Sequence, residues 1–353
     1  MKKKIIGLIL LIIVMAVIGA IYLIRVNTPE TVAVTGYVGG EKIELLEDPQ
    51  VQDIFLEKYG LEVDYSRSGS LDMMTADLSG RDYLFPSSSI ALEYYEDLHG
   101  SPVQSEIVLN TPIVLYTHQM VLDAFESQGL ITTDGDVHYI DMAGLLELIQ
   151  NNTQWSDIGL PELYGSISVD TTDPARSNSG NMFAALIANV LNGGQTLTEE
   201  NLGTILPQLE NIFSRLGYME TSSSDLFSQF LRMGVGAKPV IAGYESQLIE
   251  YAALYPDEYE NIRDDVVMLY PTPTVWSAHV LIALDEDGKL LLNAMLDEDI
   301  RNLAWEKHGF RTGNYGAVSD PSALPADGVA ASVTQVTQVP SYDVMKVIIE
   351  QLE

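Results

Sequence analysis

The residues best suited to chemistry in this chain sit in one stretch, Thr171-Thr172-Asp173-Pro174-Ala175-Arg176-Ser177-Asn178-Ser179-Gly180-Asn181. It offers hydroxyls, amides, a single guanidinium and small side chains that let a ligand reach the backbone. Such a set does not make a nucleophile; it makes a cradle of hydrogen-bond donors. The preceding Ser166-Ile167-Ser168-Val169-Asp170 alternates as a strand does,. The following Phe183, Leu186, Ile187, Val190 and Leu191 repeat with the helix period, and Gly193-Gly194 supplies a stop,. A loop between a strand end and a helix start gathers unpaired N–H groups and the positive end of the helix dipole. Ser and Asn also cap helices in any protein, so this loop taken alone reads first as a cap.

The elements that would position this loop recur along the chain. Thr31 to Thr35 reads as a strand before the glycine-rich turn that ends in Gly39-Gly40-Glu41-Lys42. Leu61 to Tyr65 reads as a strand before Ser66-Arg67-Ser68-Gly69-Ser70. Tyr83 to Phe85 leads to Pro86-Ser87-Ser88-Ser89. Asp48-Pro49 has the cap and first position of a helix that Gly60 ends. Helices are expected over 141–149, 198–216, 289–307 and 342–352, and Pro239 to Gly243 reads as a strand delivering Tyr244-Glu245. Repeated strand–loop–helix units imply an open α/β sheet, whose crossings gather at one edge, where ligands bind. Four small polar loops at one edge read as a pocket in preference to four independent caps.

Length and charge set the frame. At 353 residues the chain exceeds a usual single domain, and its 46% hydrophobic content is ample for a core,. Lys2-Lys3-Lys4 precede an unbroken apolar run, Ile5 to Ile24, long enough to span a bilayer, with the basic end cytoplasmic,. The expectation is a cytoplasmic 1–4, a transmembrane anchor over 5–25, a tether over 26–30 and an extracellular main domain. A cleaved signal peptide is the competing reading, with a poor small-residue cleavage pattern. Taking the four basic residues of the first 25 from the total of 18 leaves 14 against 50 acidic, a net −36 outside the membrane. That excludes nucleic acid as an expected partner, since binding it needs a basic footprint. No cysteine is present, so neither disulfides nor a lipidated cysteine are available,.

Enzyme signatures are missing: no Gly-x-Ser-x-Gly elbow, no Ser-x-x-Lys pair and no His-Glu-x-x-His helix,. The five histidines are scattered without metal-ligand spacing,. Asp134-Gly135-Asp136 and Asp285-Glu286-Asp287-Gly288 are acidic turns without a full calcium loop. Of the tryptophans, Trp276 is the one placed to meet a ligand. No catalytic residue, metal or cofactor is expected.

Two extended runs, Ile107 to Tyr116 and Val266 to Thr274, are the natural crossings between two lobes. Residues 31–115 with 275–353 would form lobe I, and 116–274 lobe II. The element order, these crossings and several stretches together resemble the type 2 periplasmic-binding-protein fold of extracellular solute-binding proteins, in its molybdate/sulfate-type branch. The stretches are Gly40-Glu41-Lys42 with Glu47-Asp48-Pro49-Gln50-Val51; Asp173 to Gly180; Tyr270-Pro271-Thr272-Pro273-Thr274-Val275; His279 to Leu284; and Leu303 to Phe310. The resemblance implies ligand contacts at Gly40, Lys42, Ser68, Ser70 and Ser88 from one lobe. From the other it implies Arg176, Ser177, Asn178, Ser179 and Tyr244. It also implies capture of a small polar solute or oxyanion for the permease of an ABC transporter. Glu41 and Glu245, if they face the cleft, would suit an amine or polar organic solute instead. An anchored sensor or protein-interaction module on the same fold is the alternative.

Overall fold

The computed structural model describes residues 31–312 and 319–353, together with Met15. The expected cytoplasmic, transmembrane and tether segments otherwise lie outside the described residues. No helix among the described residues is long and apolar enough to cross a membrane.

Among the described residues, nine strands follow in chain order: β1 (Val32–Val38), β2 (Leu61–Arg67), β3 (Tyr83–Phe85), β4 (Gln104–His118), β5 (Ile131–Asp134), β6 (Val137–Asp141), β7 (Val240–Tyr244), β8 (Val266–Thr272) and β9 (Trp276–Ala283). The strand order is β2-β1-β3-β9-β4-β8-β6-β5, with β7 also paired to β4. β1 runs parallel to both β2 and β3, so the loops after all three leave at one edge. Each strand is followed by a helix: Pro49–Tyr59, Asp72–Thr75 and Ser89–His99. Asp48 caps the first of these by accepting from Gln50 N (2.8 Å), and Gly60 closes it in the left-handed conformation,.

β4 joins the two lobes. Residues 104–112 pair with β9, whereas residues 113–118 pair with β7 and β8. β8 and β9 are consecutive strands, and each lies beside a different half of β4. One core holds Val34, Phe55, Tyr83, Leu281 and Leu292; another holds Leu145, Phe183, Leu186, Leu209 and Leu269. The last segment packs more widely than the lobe I assignment implies. Val329, Ala330 and Val333 share a core with Val137, Leu226 and Phe230, and helix Tyr342–Leu352 packs on helices Asn178–Leu191, Glu199–Phe213 and Ser89–His99.

Two sequence expectations need correction. Ser166 to Asp170 forms no ladder, only isolated bridges from Ser166 to Gln154 and from Asp170 to Ile241. Its alternation is genuine, because Ile167 and Val169 are buried, but its two ends pair with different neighbours. The helix expected over 289–307 is two helices, Glu286–Met295 and Glu298–Glu306. Asp297 starts the second by accepting from Asp299 N (3.0 Å), so a competing cap splits one apolar period,. The hairpin of β5 and β6 and helix Gln119–Ser127 were not anticipated. The acidic turn Asp134-Gly135-Asp136 is the bend of that hairpin, with Gly135 at φ +64°.

Candidate functional site

The loops after β1 and β2 meet the loop before helix Asn178–Leu191 and the start of helix Ser223–Met233 around a cavity of about 210 Å³. Its walls are Gly39, Gly40 and Glu41; Arg67 to Ser70; Arg176 to Asn178; and Thr221 to Ser224. The two lobes contribute opposite walls. Arg67 reaches across to Ser222 (Nη2 to Oγ 3.4 Å), and its guanidinium lies against Gly40. A Cβ on Gly40 would come within 2.9 Å of Arg67 Nε, so glycine there makes room for the guanidinium.

Asn178 ties the lobes more firmly. Its side-chain amide donates to Ser87 O (2.9 Å), Tyr244 Oη (3.0 Å) and Ser277 Oγ (3.2 Å). Ser277 Oγ donates to the same Ser87 carbonyl at 2.5 Å. Behind Asn178, Ser179 is buried, its hydroxyl 2.7 Å from Thr172 Oγ1 and 3.1 Å from Ser177 Oγ. Helix Asn178–Leu191 starts hard against the preceding loop: a Cβ on Gly180 would stand 2.2 Å from Thr172 O.

Beneath the β1 loop lies a buried polar cluster. Lys42 is fully buried, and its Nζ donates to Ser87 Oγ (2.7 Å) and to His279 Nδ1 (3.1 Å). Ser87 Oγ in turn donates to Glu41 Oε2 (2.8 Å), which is 3.9 Å from Lys42 Nζ. Desolvation brings the Lys42 pKa down to about 8, with Glu41 opposing the shift,. Burial and the Lys42 charge push His279 well below the ordinary histidine range, so its ring is neutral. Burial, with Glu41 nearby, holds the Tyr244 hydroxyl well above its ordinary value. A Cβ on Gly39 would fall within 2.9 Å of Ser87 Oγ, Glu41 Oε2 and Lys42 Nζ, so the ends of these side chains would have to shift to admit one.

The expected ligand residues therefore divide. Gly40, Ser68, Ser70, Arg176, Ser177 and Asn178 line the cavity. Arg176 is 71% exposed, with Asp173 3.7 Å away. Lys42, Ser179 and Tyr244 are buried behind the wall and brace it. Ser88 borders a smaller neighbouring cavity and caps helix Ser89–His99 by accepting from Ile90 N (3.1 Å). Glu245 does not face the cleft. It pairs with Arg311 through two 2.7 Å bonds and accepts from Tyr270 Oη at 2.5 Å, all buried. Trp276 borders a separate surface depression with Val336 to Val339.

No family model matches the sequence, and no curated protein does. Solved structures do. The sulfate-binding protein SubI from Mycobacterium tuberculosis H37Rv is similar at TM-score 0.54 and 14% identity, over 89% of this chain and 96% of that one. The substrate-binding protein of an ABC transporter from Agrobacterium tumefaciens gives 0.55 at 12%, over 92% and 94%. Iron-bound HitA from Pseudomonas aeruginosa gives 0.58 at 11%, over 91% and 99%. The chain has the type 2 periplasmic-binding-protein fold. At such identities the likeness carries the architecture and no ligand.

Within this fold, sequence reasoning missed Arg67, Ser87, Ser277 and the Thr221 to Ser224 wall. The last had a visible signal: Thr221-Ser222-Ser223-Ser224 is another small polar run ahead of a helix, read only as a cap. It is also a cap, since Ser222 Oγ accepts from Asp225 N (3.4 Å). Ser277 lies within a strand and carries no local mark, whereas Arg67, the last residue of β2, belongs to the polar run Ser66 to Ser70 but is not among the expected contacts. Among the described residues, no group of His, Asp and Glu is arranged to hold a metal ion.

Proposed function

We propose that this chain is a solute-binding protein that captures a small oxyanion, or a polar solute bearing an anionic group, in the interlobe cleft. It would deliver the solute to the permease of an ABC transporter. The supporting observation is the local charge of the cavity. In a chain of net charge −32, its walls carry Arg67 and Arg176 among hydroxyls and glycine N–H groups, and their one carboxylate, Glu41, has a lysine behind it. Donors from both sides of a hinge would favour a closed state on ligand binding. We place the hinge at the change of β4 partner, with lobe I built on 31–115 and 275–353 and lobe II on 116–274, the end of the chain from about 329 packing on lobe II as well. We assign residues 5–25 to a membrane anchor that leaves the binding domain outside.

The test is a thermal-shift screen of the chain against oxyanions, amino acids, amines and sugars. A ligand at 100 times its Kd stabilises by about 2.7 kcal/mol. The expected result is a shift with an oxyanion that is lost in Arg67→Ala and weakened in Arg176→Ala. A folded protein that responds to no class would overturn solute capture and leave an anchored partner-binding module.

A further inference from the structure

The buried cluster under the β1 loop has no role in holding the ligand directly, and its geometry assigns it another. We infer that Lys42 is the internal counter-ion that makes the cleft an anion site, so that loss of its proton leaves Glu41 uncompensated and expels the anion. This rests on the anion-binding reading given above.

Three observations carry it. First, Glu41 lines the cavity whereas Lys42 does not, so the carboxylate confronts a bound anion and the ammonium acts on it only from behind. Second, the cluster accommodates either protonation state of Lys42. Ser87 Oγ and His279 Nδ1 accept two N–H bonds, which an ammonium and a neutral amine can both supply,. Glu41 keeps its bond from Ser87 Oγ in either case. Proton loss therefore changes the charge without breaking the hydrogen-bond network. Third, His279 is committed to the neutral form that accepts from Lys42. Its proton is then on Nε2, which is buried without a hydrogen-bond partner.

The surroundings leave Lys42 as the group that titrates. Around its Nζ stand Glu41 on its own turn, Ser87 and the Phe85 ring (4.9 Å to the centroid) from the β3 side, and His279 from β9. Around Glu41 stand Ser87, Lys42 and, on the far wall, Tyr244, with Arg67 across Gly40. His279 titrates far below and Tyr244 far above the range in which Lys42, at about 8, changes charge. By reciprocal linkage, an anion that favours the ammonium must draw a proton onto Lys42 as it binds.

The test measures binding of sulfate and molybdate to the full chain by calorimetry, from about pH 6 to about pH 9.5, where both probes keep a constant charge. Affinity should fall about tenfold across this range, as expected for one unit charge acting through a protein wall. Near pH 8 the heats in buffers of different ionisation enthalpy should show proton uptake. Glu41→Gln, a partly exposed substitution, removes the charge that raises the Lys42 pKa, so it should tighten binding at the acidic end and move the fall in affinity to lower pH. Lys42→Met should bind weakly at every pH; should it fail to fold, Glu41→Gln alone decides. A profile that is flat in the native chain, or whose midpoint stays in place in Glu41→Gln, overturns the role of Lys42 while leaving anion capture intact. Absence of binding by either probe at every pH overturns both.

Discussion

At the scale of single residues, two buried charges dominate, and they differ in what offsets their burial. Arg311 loses water but gains Glu245, Tyr270 and the Ala330 carbonyl at 2.5 Å; burial pulls its pKa down, and Glu245 outweighs that and raises it. Removing one partner of such a pair leaves an unpaired buried charge, which costs roughly 3–5 kcal/mol. Glu245→Ala should lower the urea unfolding free energy by about that much, whereas loss of a surface pair such as Lys289 with Glu286 should cost under about 1 kcal/mol,. Lys42 lacks such compensation, and its folded pKa of about 8 lies below the ordinary 10.5. Between those values the unfolded chain holds the proton that the folded one has lost, so this residue makes stability rise with pH. Below about 8 both states are charged and the full penalty applies, on the order of 3 kcal/mol for a fully buried group. Denaturation of the native chain and Lys42→Met from about pH 7 to about pH 10.5 should show the two curves converging or crossing over that window.

At the scale of elements, the cavity depends on how closely three segments approach. The amino end of helix Asn178–Leu191 is pressed against Thr172, and Gly180 is the contact. Gly180→Ala places a methyl on a backbone oxygen rather than on a movable side chain. Either the helix start or the loop must retreat, for about 1–3 kcal/mol. Because that retreat moves Arg176, Ser177 and Asn178 together, the variant should lose ligand-induced stabilisation by more than its change in melting temperature alone implies. A thermal shift with and without the anion separates the two effects. Gly203, with open space around its Cβ position, is the control: Gly203→Ala should raise stability slightly, since alanine favours helix,.

At the scale of the whole molecule, β4 is a single strand that serves two sheets, and Asn178 is the principal side-chain tie across the cleft. Its amide meets Ser87 from one lobe while Tyr244 and Ser277 complete its acceptors. Asn178→Ala removes these bonds without touching the hinge, so the population should move toward an open form. Small-angle scattering should report a larger radius of gyration for the variant without ligand and a smaller difference at saturating anion. An unchanged radius under both conditions would remove Asn178 from lobe closure. Each bond to be lost is worth about 1 kcal/mol net, enough to shift a two-state balance several-fold.

Several features follow from local sequence because short-range physics decides them. The cap at Asp48 and the stop at Gly60 each depend on neighbours a few residues away. The same holds for the polar runs Gly39 to Glu41 and Ser68 to Ser70, whose place at one sheet edge follows from parallel pairing of β1 with β2 and β3. Tertiary structure decided what local patterns cannot express. Ser166 to Asp170 alternates like a strand but meets no continuous partner, and Lys42, expected as a ligand contact, is instead buried where β9 brings His279 to it, 237 residues away. Glu245, adjacent to an expected ligand residue, turns instead to Arg311, and Arg67 becomes a cleft residue only because Ser222 stands opposite. The side of the wall on which a polar group ends up depends on contacts between distant segments, and those contacts set whether a charge lines the cavity or supports it from behind.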